Sequence, residues 1–348
     1  MRRAAYILVF LWGLNTWAQA PDVWRARRVI VIGVDGLSLD GVSKAHVPRL
    51  KELMQRSAWT LSARAVMPTL SSPNWESIIT GASPDQHGII SNGHLRKLVE
   101  FEPVCRDERG MFPTIFGLLR VAQPSAKIAV FNDWEGFADL LEKGAPDVLQ
   151  HEHGPEKTTA AAIHYWRENR PTLLFIHLDN VDHTGHDYSW TSSEYYRAVA
   201  EADKQIGAVV DTVKEASAQD STFILIVSDH GGKGRSHGGS SMAEILVPWV
   251  LNGPDIVPGQ ITAPVYAYDT AATLDWIFDL TPPVCAIGRP VMAVFQPAAV
   301  AMRGAGRSAG EYGCPTALPA VTGGAPVSAT HQGPTIGHSP ETPPRQYR

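Results

Sequence analysis

The segment from Val29 to Val34 holds five apolar β-branched residues and one glycine, with no polar position. A run of this kind is typical of a strand buried on both faces, as in parallel sheets covered by helices. Similar apolar runs recur at residues 127–131, 173–178, 222–227 and 247–251. Segments with helical periodicity separate them. This alternation predicts an α/β fold: a mostly parallel central sheet with helices on both faces, a three-layer sandwich.

The longest helical pattern follows the predicted strand at 173–178. Its apolar residues, including Val199, Ile206 and Val213, recur on one helical face. Thr191 and Glu194 have the spacing of a capping box, which predicts that the helix begins there. A helix of this length would cover one face of the sheet.

The first twenty residues are predicted to be a secretory signal peptide. Arg2 and Arg3 precede an apolar stretch at 4–14, and residues 18–20 read Ala-Gln-Ala, a cleavage signal. The apolar stretch is shorter than the roughly 20 residues needed to cross a bilayer, and no later stretch is long enough. We therefore expect a secreted or periplasmic protein with no membrane span after cleavage. An uncleaved anchor or a misassigned start is the alternative.

We expect the remaining chain to divide into one folded domain at 21–298 and a tail at 299–348. The last 48 residues include 15 glycines and prolines, a share that predicts disorder. The three cysteines exclude a disulfide-dense scaffold; Cys105 and Cys285 could pair after export, which would leave Cys314 free. The net charge of −5 shows no basic excess, so no coat of nucleic acid is expected.

Acidic and histidine side chains follow several of the predicted strands. They are Asp35, Asp182, His186, Asp229, His230 and, shortly afterwards, His237. Each alone is more often a turn or capping residue, but the carboxyl ends of parallel strands meet at one edge of a sheet. Carboxylate oxygens and imidazole nitrogens suit Zn²⁺. The sequence therefore predicts a metal site at that edge.

Ser71 is the predicted nucleophile. Ser72 has the character of an N-cap, Pro73 that of the first helical residue, and Gly81 that of a helix end. Ser71 would then lie at a helix N-terminus, where free N–H groups favour an anion. A metal can activate such a hydroxyl without a histidine base. Thr69 and Ser72 are the alternative nucleophiles.

With these motifs the chain resembles the alkaline phosphatase superfamily, and within it the type I phosphodiesterase/nucleotide pyrophosphatase family. The resemblance spans about residues 29–295. It rests on motifs in the family's order: Asp35-Gly36, Ser71 with Pro73-Asn74, Gly88 to Asn92, Asp182 with Gly185-His186, Ser228 to Gly231, and His237-Gly238.

The resemblance implies an alkaline-phosphatase-like fold and two divalent metal ions, usually zinc. One ion would be held by Asp182, His186 and His237. The other would be held by Asp35, Asp229 and His230, together with the oxygen of Ser71. It further implies that Ser71 attacks phosphorus to form a phosphoserine and that Asn92 donates a hydrogen bond to a phosphate oxygen. The substrate would be a small-molecule phosphodiester or pyrophosphate.

The chain departs from the family pattern at several points. Ser71 stands where threonine is usual, Trp75 where histidine is common, and the segment after His186 lacks a frequent Gly-Pro pair. These departures argue against a nucleotide substrate in particular. Trp134 is a candidate for stacking on the leaving group, although a core position is the alternative.

Other polar residues near the motifs have weaker assignments. Asp179 and His183 could orient metal ligands. Lys233 and Arg235 could meet a terminal phosphate, or simply lie in a solvated loop.

Three other functions stay open from sequence. A phosphomonoesterase or a phosphonate hydrolase could use the same residues, and a non-catalytic metal-stabilised binding protein would need only the ligands. A sulfatase is disfavoured because the chain has no Cys-x-Pro-x-Arg motif. The oligomeric state is not predicted.

Overall fold

The computed structural model describes residues 27–93, 101–107 and 110–304. The predicted signal peptide and nearly all of the predicted tail lie outside these residues. The boundary predicted at residue 298 falls inside the last helix. Eight strands form one sheet: β1 Arg28–Val34, β2 Ala58–Arg64, β3 Ile128–Asn132, β4 Val148–His151, β5 Leu173–Leu178, β6 Thr222–Val227, β7 Leu246–Asn252 and β8 Gly259–Gln260.

The sheet has the order β4-β3-β5-β1-β6-β7-β2-β8. The first five strands in this order, β4, β3, β5, β1 and β6, run parallel to one another, whereas β7 is antiparallel to both β6 and β2. The mostly parallel α/β sheet predicted from the sequence is therefore confirmed. Its central parallel strands, β5, β1 and β6, lie side by side.

Eleven α-helices are found among the described residues. They are α1 Leu39–Lys44, α2 Pro48–Met54, α3 Ser71–Thr80, α4 Pro84–His87, α5 Ile115–Ala122, α6 Pro155–Asn169, α7 Asn180–Tyr188, α8 Ser193–Glu215, α9 Met242–Ile245, α10 Asp269–Phe278 and α11 Pro297–Gly304. Short 3₁₀ turns occur at Glu135–Leu140, Gln219–Ser221 and Met292–Val294. None of the described helices is long and apolar enough to cross a bilayer.

Alternate residues of β1 face the two helical layers. Ile30 and Ile32 join a buried cluster to which α1, α2, α6 and α8 contribute, with Trp166 and Ile206 among its members. On the other face, Gly33 lies under α3, and a Cβ added there would come within 2.5 Å of the Trp75 ring. The glycine thus lets α3 pack directly on the strand, which brings the start of α3 to the sheet.

The predicted strands agree with the structure to within one residue at each end. The capping box at Thr191 was wrong, because α8 begins one residue later with Ser192 as N-cap, whose hydroxyl accepts from Tyr195 N. The strands β2, β4 and β8 were not predicted, since β2 mixes polar and apolar residues and the other two are short.

Candidate metal centre

The carboxyl ends of β1, β5 and β6 form the floor of the site. Asp35 follows β1, Asp179 follows β5, and Asp229 lies two residues beyond β6. Asp35 N donates to Leu178 O at 2.8 Å, and Gly36 N donates to Asp229 Oδ1 at 3.1 Å. Side chains from distant parts of the chain therefore lie together at the carboxyl ends of neighbouring strands, as the sequence predicted.

One group of ligand-type side chains consists of Asp35, Asp229 and His230. All three are buried, and one potential ligand atom from each lies within 4.8 Å of the others. His230 Nε2 is 3.1 Å from Asp229 Oδ2, 3.5 Å from Asp35 Oδ1 and 3.1 Å from Ser71 Oγ. The predicted nucleophile thus lies beside this group.

The second group consists of Asp182, His186 and His237, again with potential ligand atoms within 4.8 Å. Asp182 and His186 are four residues apart on α7 and so project from the same helical face. Asp182 Oδ2 lies 3.4 Å from His186 Nε2, and Asp182 Oδ1 lies 3.6 Å from His237 Nε2. The six predicted ligands therefore fall into the two predicted sets.

The hydrogen bonds of the three histidines fix their tautomers. His230 Nδ1 lies 2.8 Å from Gly231 O, His186 Nδ1 lies 2.9 Å from Arg235 O, and His237 Nδ1 lies 2.8 Å from Thr69 O. A carbonyl only accepts, so each Nδ1 must carry the proton. Each Nε2 of the neutral ring then presents a lone pair to the site, as a metal ligand does.

With lone pairs directed at the site, the three imidazoles supply no positive charge to balance its carboxylates. His186 Nε2 and His237 Nε2 are 3.0 Å apart, a separation at which their lone pairs would repel unless a proton or a metal ion lies between them. Asp35 Oδ1, Asp182 Oδ1 and Asp229 Oδ2 are buried without a hydrogen-bond partner among the described residues. Buried oxygens of this kind are costly unless they are compensated. The donor set therefore fits divalent ions of the zinc type.

The pKa values of the site indicate the same deficit. Burial raises the pKa of Asp182 to about 9, and the charges of Asp35 and Asp179 add to the shift. Burial likewise raises the pKa of Asp229 well above its ordinary value. Burial and the neighbouring His237 lower the pKa of His230 to about 3. Bound divalent cations would reverse the first two shifts, since they favour the ionised carboxylates.

Ser71 is the first residue of α3, not the residue before an N-cap. The N-cap is Leu70, and Pro73 occupies the third helical position, so the assignment of Ser72 as N-cap was wrong. The free N–H of Ser72 instead donates to Asn92 Oδ1 at 2.9 Å. Gly81 ends the helix with φ 75°, as predicted.

Asn92 is exposed beside the N-terminus of α3. Because its Oδ1 accepts from Ser72 N, its amide nitrogen is the group left to donate to a bound phosphate. The backbone N–H of Ser72, the residue after Ser71, thus holds the Asn92 side chain next to Ser71.

The indole of Trp75 lies directly behind Asp35. Trp75 Nε1 donates to Asp35 Oδ2 at 2.8 Å. The imidazole of His177, which sequence analysis missed, lies 3.4 Å from the same oxygen and is fully buried. Burial alone would lower the pKa of His177. The carboxylates of Asp133 and Asp35 have the larger, opposite effect, so the pKa of His177 is raised to about 9. The sequence feature that could have identified His177 is its position inside the otherwise apolar run of β5.

Trp190 lies beneath the second group and was also missed. Its ring is fully buried, with centroids 5.2 Å from the His186 ring and 5.8 Å from the His237 ring. Its Nε1 donates to Gly36 O at 2.9 Å. Glycines 185 and 232 border the indole so closely that a Cβ on either would come within 2.7 Å of it. One tryptophan therefore contacts the loop at Gly36, helix α7, and the chain at Gly232 and at His237.

The residues with weaker predictions have mixed positions. Asp179 lies within 4.8 Å of Asp35 and Asp182, counted between ligand atoms. Trp134 is half-buried, with its ring 5.9 Å from that of His177. His183 is largely exposed and lies 3.5 Å from Asp187.

The loop before His237 contacts the site through backbone atoms and not through its charged side chains. Lys233 and Arg235 are exposed, and the contact of Arg235 with His186 is made by its carbonyl. The Thr69 hydroxyl donates to Gly239 O and accepts from Gly238 N, so it supports the His237 loop.

Cys105 and Cys285 form a disulfide across a separation of 180 residues. Near it, Gln86 Nε2 donates to Cys285 O and Gln86 O accepts from Val104 N. Disulfides of this kind are typical of oxidising compartments. Cys314 lies outside the described residues.

Comparison with known proteins agrees with this geometry. The model of the type I phosphodiesterase / nucleotide pyrophosphatase family matches residues 29–117 and 125–237, more than half of the chain. Human ectonucleotide pyrophosphatase/phosphodiesterase family member 1 is 26% identical over 231 residues, 61% of this chain and 24% of the relative. Venom phosphodiesterase 2 of Crotalus adamanteus is 22% identical over 228 residues, 61% of this chain and 28% of the relative. The chain thus spans about a quarter of the length of these two curated relatives.

Solved structures show the same fold. Murine ectonucleotide pyrophosphatase/phosphodiesterase 5 superposes with a TM-score of 0.62 at 15% identity, covering 74% of this chain and 96% of that one. The wild-type alkaline phosphatase PafA gives a TM-score of 0.64 at 12% identity, covering 77% and 99%. The residues that the family model matches, 29–117 and 125–237, include the positions of the two carboxylate–histidine groups and Ser71. The chain belongs to the type I phosphodiesterase/nucleotide pyrophosphatase family.

Proposed function

We propose that the chain hydrolyses phosphodiester or pyrophosphate bonds with Ser71 as nucleophile and two divalent ions, most favourably zinc, in the two carboxylate–histidine groups. The observation that carries the proposal is the position of Ser71 Oγ, 3.1 Å from His230 Nε2 and beside the Asp35 group. A side chain with a structural role alone would not require a hydroxyl at the meeting point of these ligands.

The ions, when bound, would stabilise charge on the attacking and leaving oxygens. Without them, the Ser71 hydroxyl donates to His230 Nε2, because Nδ1 of that ring already carries its proton. Attack by Ser71 Oγ forms the oxygen–phosphorus bond of a phosphoserine as the bond from phosphorus to the leaving-group oxygen breaks; that oxygen keeps the electron pair, and the proton of the Ser71 hydroxyl passes through solvent to it. Water then attacks phosphorus, the serine oxygen–phosphorus bond breaks, the phosphate product leaves and Ser71 Oγ regains a proton. Asn92 donates to a non-bridging oxygen throughout.

The charge of the site favours diesters over monoesters. Among the described residues, the hydrogen bonds and ion pairs of the eight site residues involve no lysine or arginine side chain. A monoester carries an extra negative charge, for which a further cation would be useful. We therefore propose a phosphodiester or pyrophosphate substrate, with monoester and phosphonate hydrolysis as alternatives on the same residues.

Hydrolysis of bis-p-nitrophenyl phosphate and p-nitrophenyl phosphate, with and without a chelator, tests this proposal. We expect faster turnover of the diester, loss of turnover with chelator, and recovery with Zn²⁺. Ser71→Ala should reduce turnover to the chelated background while both ions stay bound. Ser72→Ala, which removes the neighbouring hydroxyl, is the matched control and should retain turnover.

Three results would contradict parts of the proposal. Equal rates in wild type and Ser71→Ala would exclude Ser71 as nucleophile. A large monoester preference would overturn the substrate class. Stoichiometric metal with no turnover of either substrate would favour a non-catalytic metal-binding protein.

We propose that the protein is exported, with cleavage after Ala20. The proposal rests on the signal-peptide pattern at 1–20 and is supported by the Cys105–Cys285 disulfide. N-terminal sequencing of the mature protein from an expressing host should begin at Pro21. A chain that keeps residues 1–20 would contradict cleavage.

A further inference from the structure

We propose that His177 is a positioning residue for Asp35: held between Asp133 and Asp35, its ring determines which carboxylate oxygen Asp35 presents to the metal site. The inference rests on the proposed metal centre and adds to it a buried group outside the ligand set. His177 lies in β5, where every other residue is apolar.

Both nitrogens of the His177 ring face carboxylates. Nε2 is 3.4 Å from Asp35 Oδ2, and Nδ1 is 3.7 Å from Asp133 Oδ1. All three side chains are at most 3% exposed. Burying such a set is costly unless its charges are paired, so an apolar residue would be the simpler choice at this strand position. Its presence indicates a role beyond filling the core.

Asp133 lies on the far side of the ring, where its carboxylate faces Nδ1. It follows β3, the neighbour of β5, and its Oδ1 accepts from Asp179 N at 2.5 Å. The rings of Trp75 and Phe137 lie 4.7 Å and 4.8 Å from the imidazole, measured between centroids. The imidazole therefore has little room to turn away from the two carboxylates.

The two oxygens of Asp35 have different surroundings as a result. Oδ2 accepts from Trp75 Nε1 at 2.8 Å and faces His177. Oδ1 has no hydrogen-bond partner among the described residues and lies 3.5 Å from His230 Nε2, inside the first ligand group. Contacts behind a ligand commonly set its orientation and basicity. Removing His177 should therefore weaken ion binding by the group that contains Asp35 and leave ion binding by the α7 group unchanged.

The test is a Zn²⁺ titration of the chelator-stripped full chain against a chromophoric competitor, which yields a dissociation constant for each ion. In His177→Gln we expect one constant to rise roughly 10- to 100-fold and the other to stay unchanged. Repeating the titration with His186→Ala present, which disables the α7 group, should assign the weakened ion to the Asp35 group.

His87→Gln is the matched control, since His87 is also buried but lies 3.0 Å from Ser77 Oγ on α3. It should leave both constants unchanged. Asp133→Asn keeps the ring and removes only its anchor, so it should weaken the same ion to a smaller extent. This variant tests the inference even if His177→Gln does not fold, which a thermal melt of the stripped protein would show.

The outcomes separate this inference from the proposed function. If the wild-type chain binds no Zn²⁺, the proposed metal centre fails and this inference with it. If wild type binds two ions and both constants in the folded His177 and Asp133 variants match it, only the positioning role is overturned. An equal weakening of both ions would likewise overturn it, because it would indicate a general loss of structure.

Discussion

At the scale of single residues, the ligand identities could be predicted but their hydrogen-bonding states could not. Asp35, Asp229 and His230 follow strand ends, and that position alone marked them. The tautomer of His237 depends on the carbonyl of Thr69, whose location requires the folded chain. His177 was missed for the opposite reason, because it lies within an apolar run rather than after it.

Asn92→Ala tests the role of the exposed amide. Loss of a donor to a developing charge on phosphate should lower kcat for the diester by roughly 10²- to 10³-fold. Metal content should not change, because Asn92 contacts Ser72 N and lies outside both ligand groups. Steady-state kinetics with metal analysis would measure both quantities.

Asn169→Ala, at the end of α6 with its amide donating to Tyr165 O, is a control for that experiment. It should leave kcat unchanged. A kcat for Asn92→Ala within about twofold of wild type would contradict a contact with the transition state.

At the scale of elements, the alternation of strands and helices predicted the layers, while the exact start of α3 was misjudged. The Ser72-Pro73 pair looks like a cap followed by a first helical residue. In the structure the helix starts earlier, because Asn92 satisfies the free N–H of Ser72. A partner twenty residues away in sequence is not visible in a local pattern.

Gly232→Ala tests the packing of the motif loops around Trp190. The added methyl would lie 2.2 Å from the indole, so either the ring or the Asp229-His230 loop must move. We expect a loss of about 1–3 kcal/mol in the free energy of unfolding. Denaturant titration of the metal-loaded protein would measure it.

Gly93→Ala provides the comparison, since among the described residues its Cβ would meet only the Ser91 hydroxyl, at 3.8 Å. It should change the free energy of unfolding by less than about 0.5 kcal/mol. Equal effects of the two substitutions would contradict close packing at Gly232.

At the scale of the whole molecule, the sheet order explains why distant motifs meet. The neighbouring strands β5, β1 and β6 end beside one another and bring Asp35, Asp182 and Asp229 to one edge. The apolar runs predicted this layer and the strand at 247–251, but they predicted neither β2 nor the antiparallel direction of β7, whose pairing depends on long connections. The chain from β2 through Thr69 then carries Ser71 across to the same edge.

The pH dependence of stability should differ between metal-free and metal-loaded protein. Without metal, burial raises the pKa of Asp182 to about 9, far above the ordinary value of an aspartate in an unfolded chain. The folded state then holds a proton that the unfolded state has lost, so stability falls as pH rises toward 9. His177, with a pKa of about 9, acts in the same direction above 6.5. Bound metal removes the Asp182 contribution by keeping the carboxylate ionised.

Thermal melts between pH 7 and 9 would measure this difference. We expect a steeper fall in Tm for the chelated protein than for the zinc-loaded protein, and a reduced slope in chelated Asp182→Asn. Parallel slopes for chelated and loaded wild type would contradict metal binding at Asp182.

Two divalent ions should bind where the carboxylates, histidines and Ser71 meet. Anomalous diffraction from crystals of the zinc-loaded protein would locate them. We expect two peaks about 4 Å apart, one within reach of Asp182, His186 and His237 and the other within reach of Asp35, Asp229, His230 and Ser71 Oγ. A single peak, or peaks away from these side chains, would contradict it.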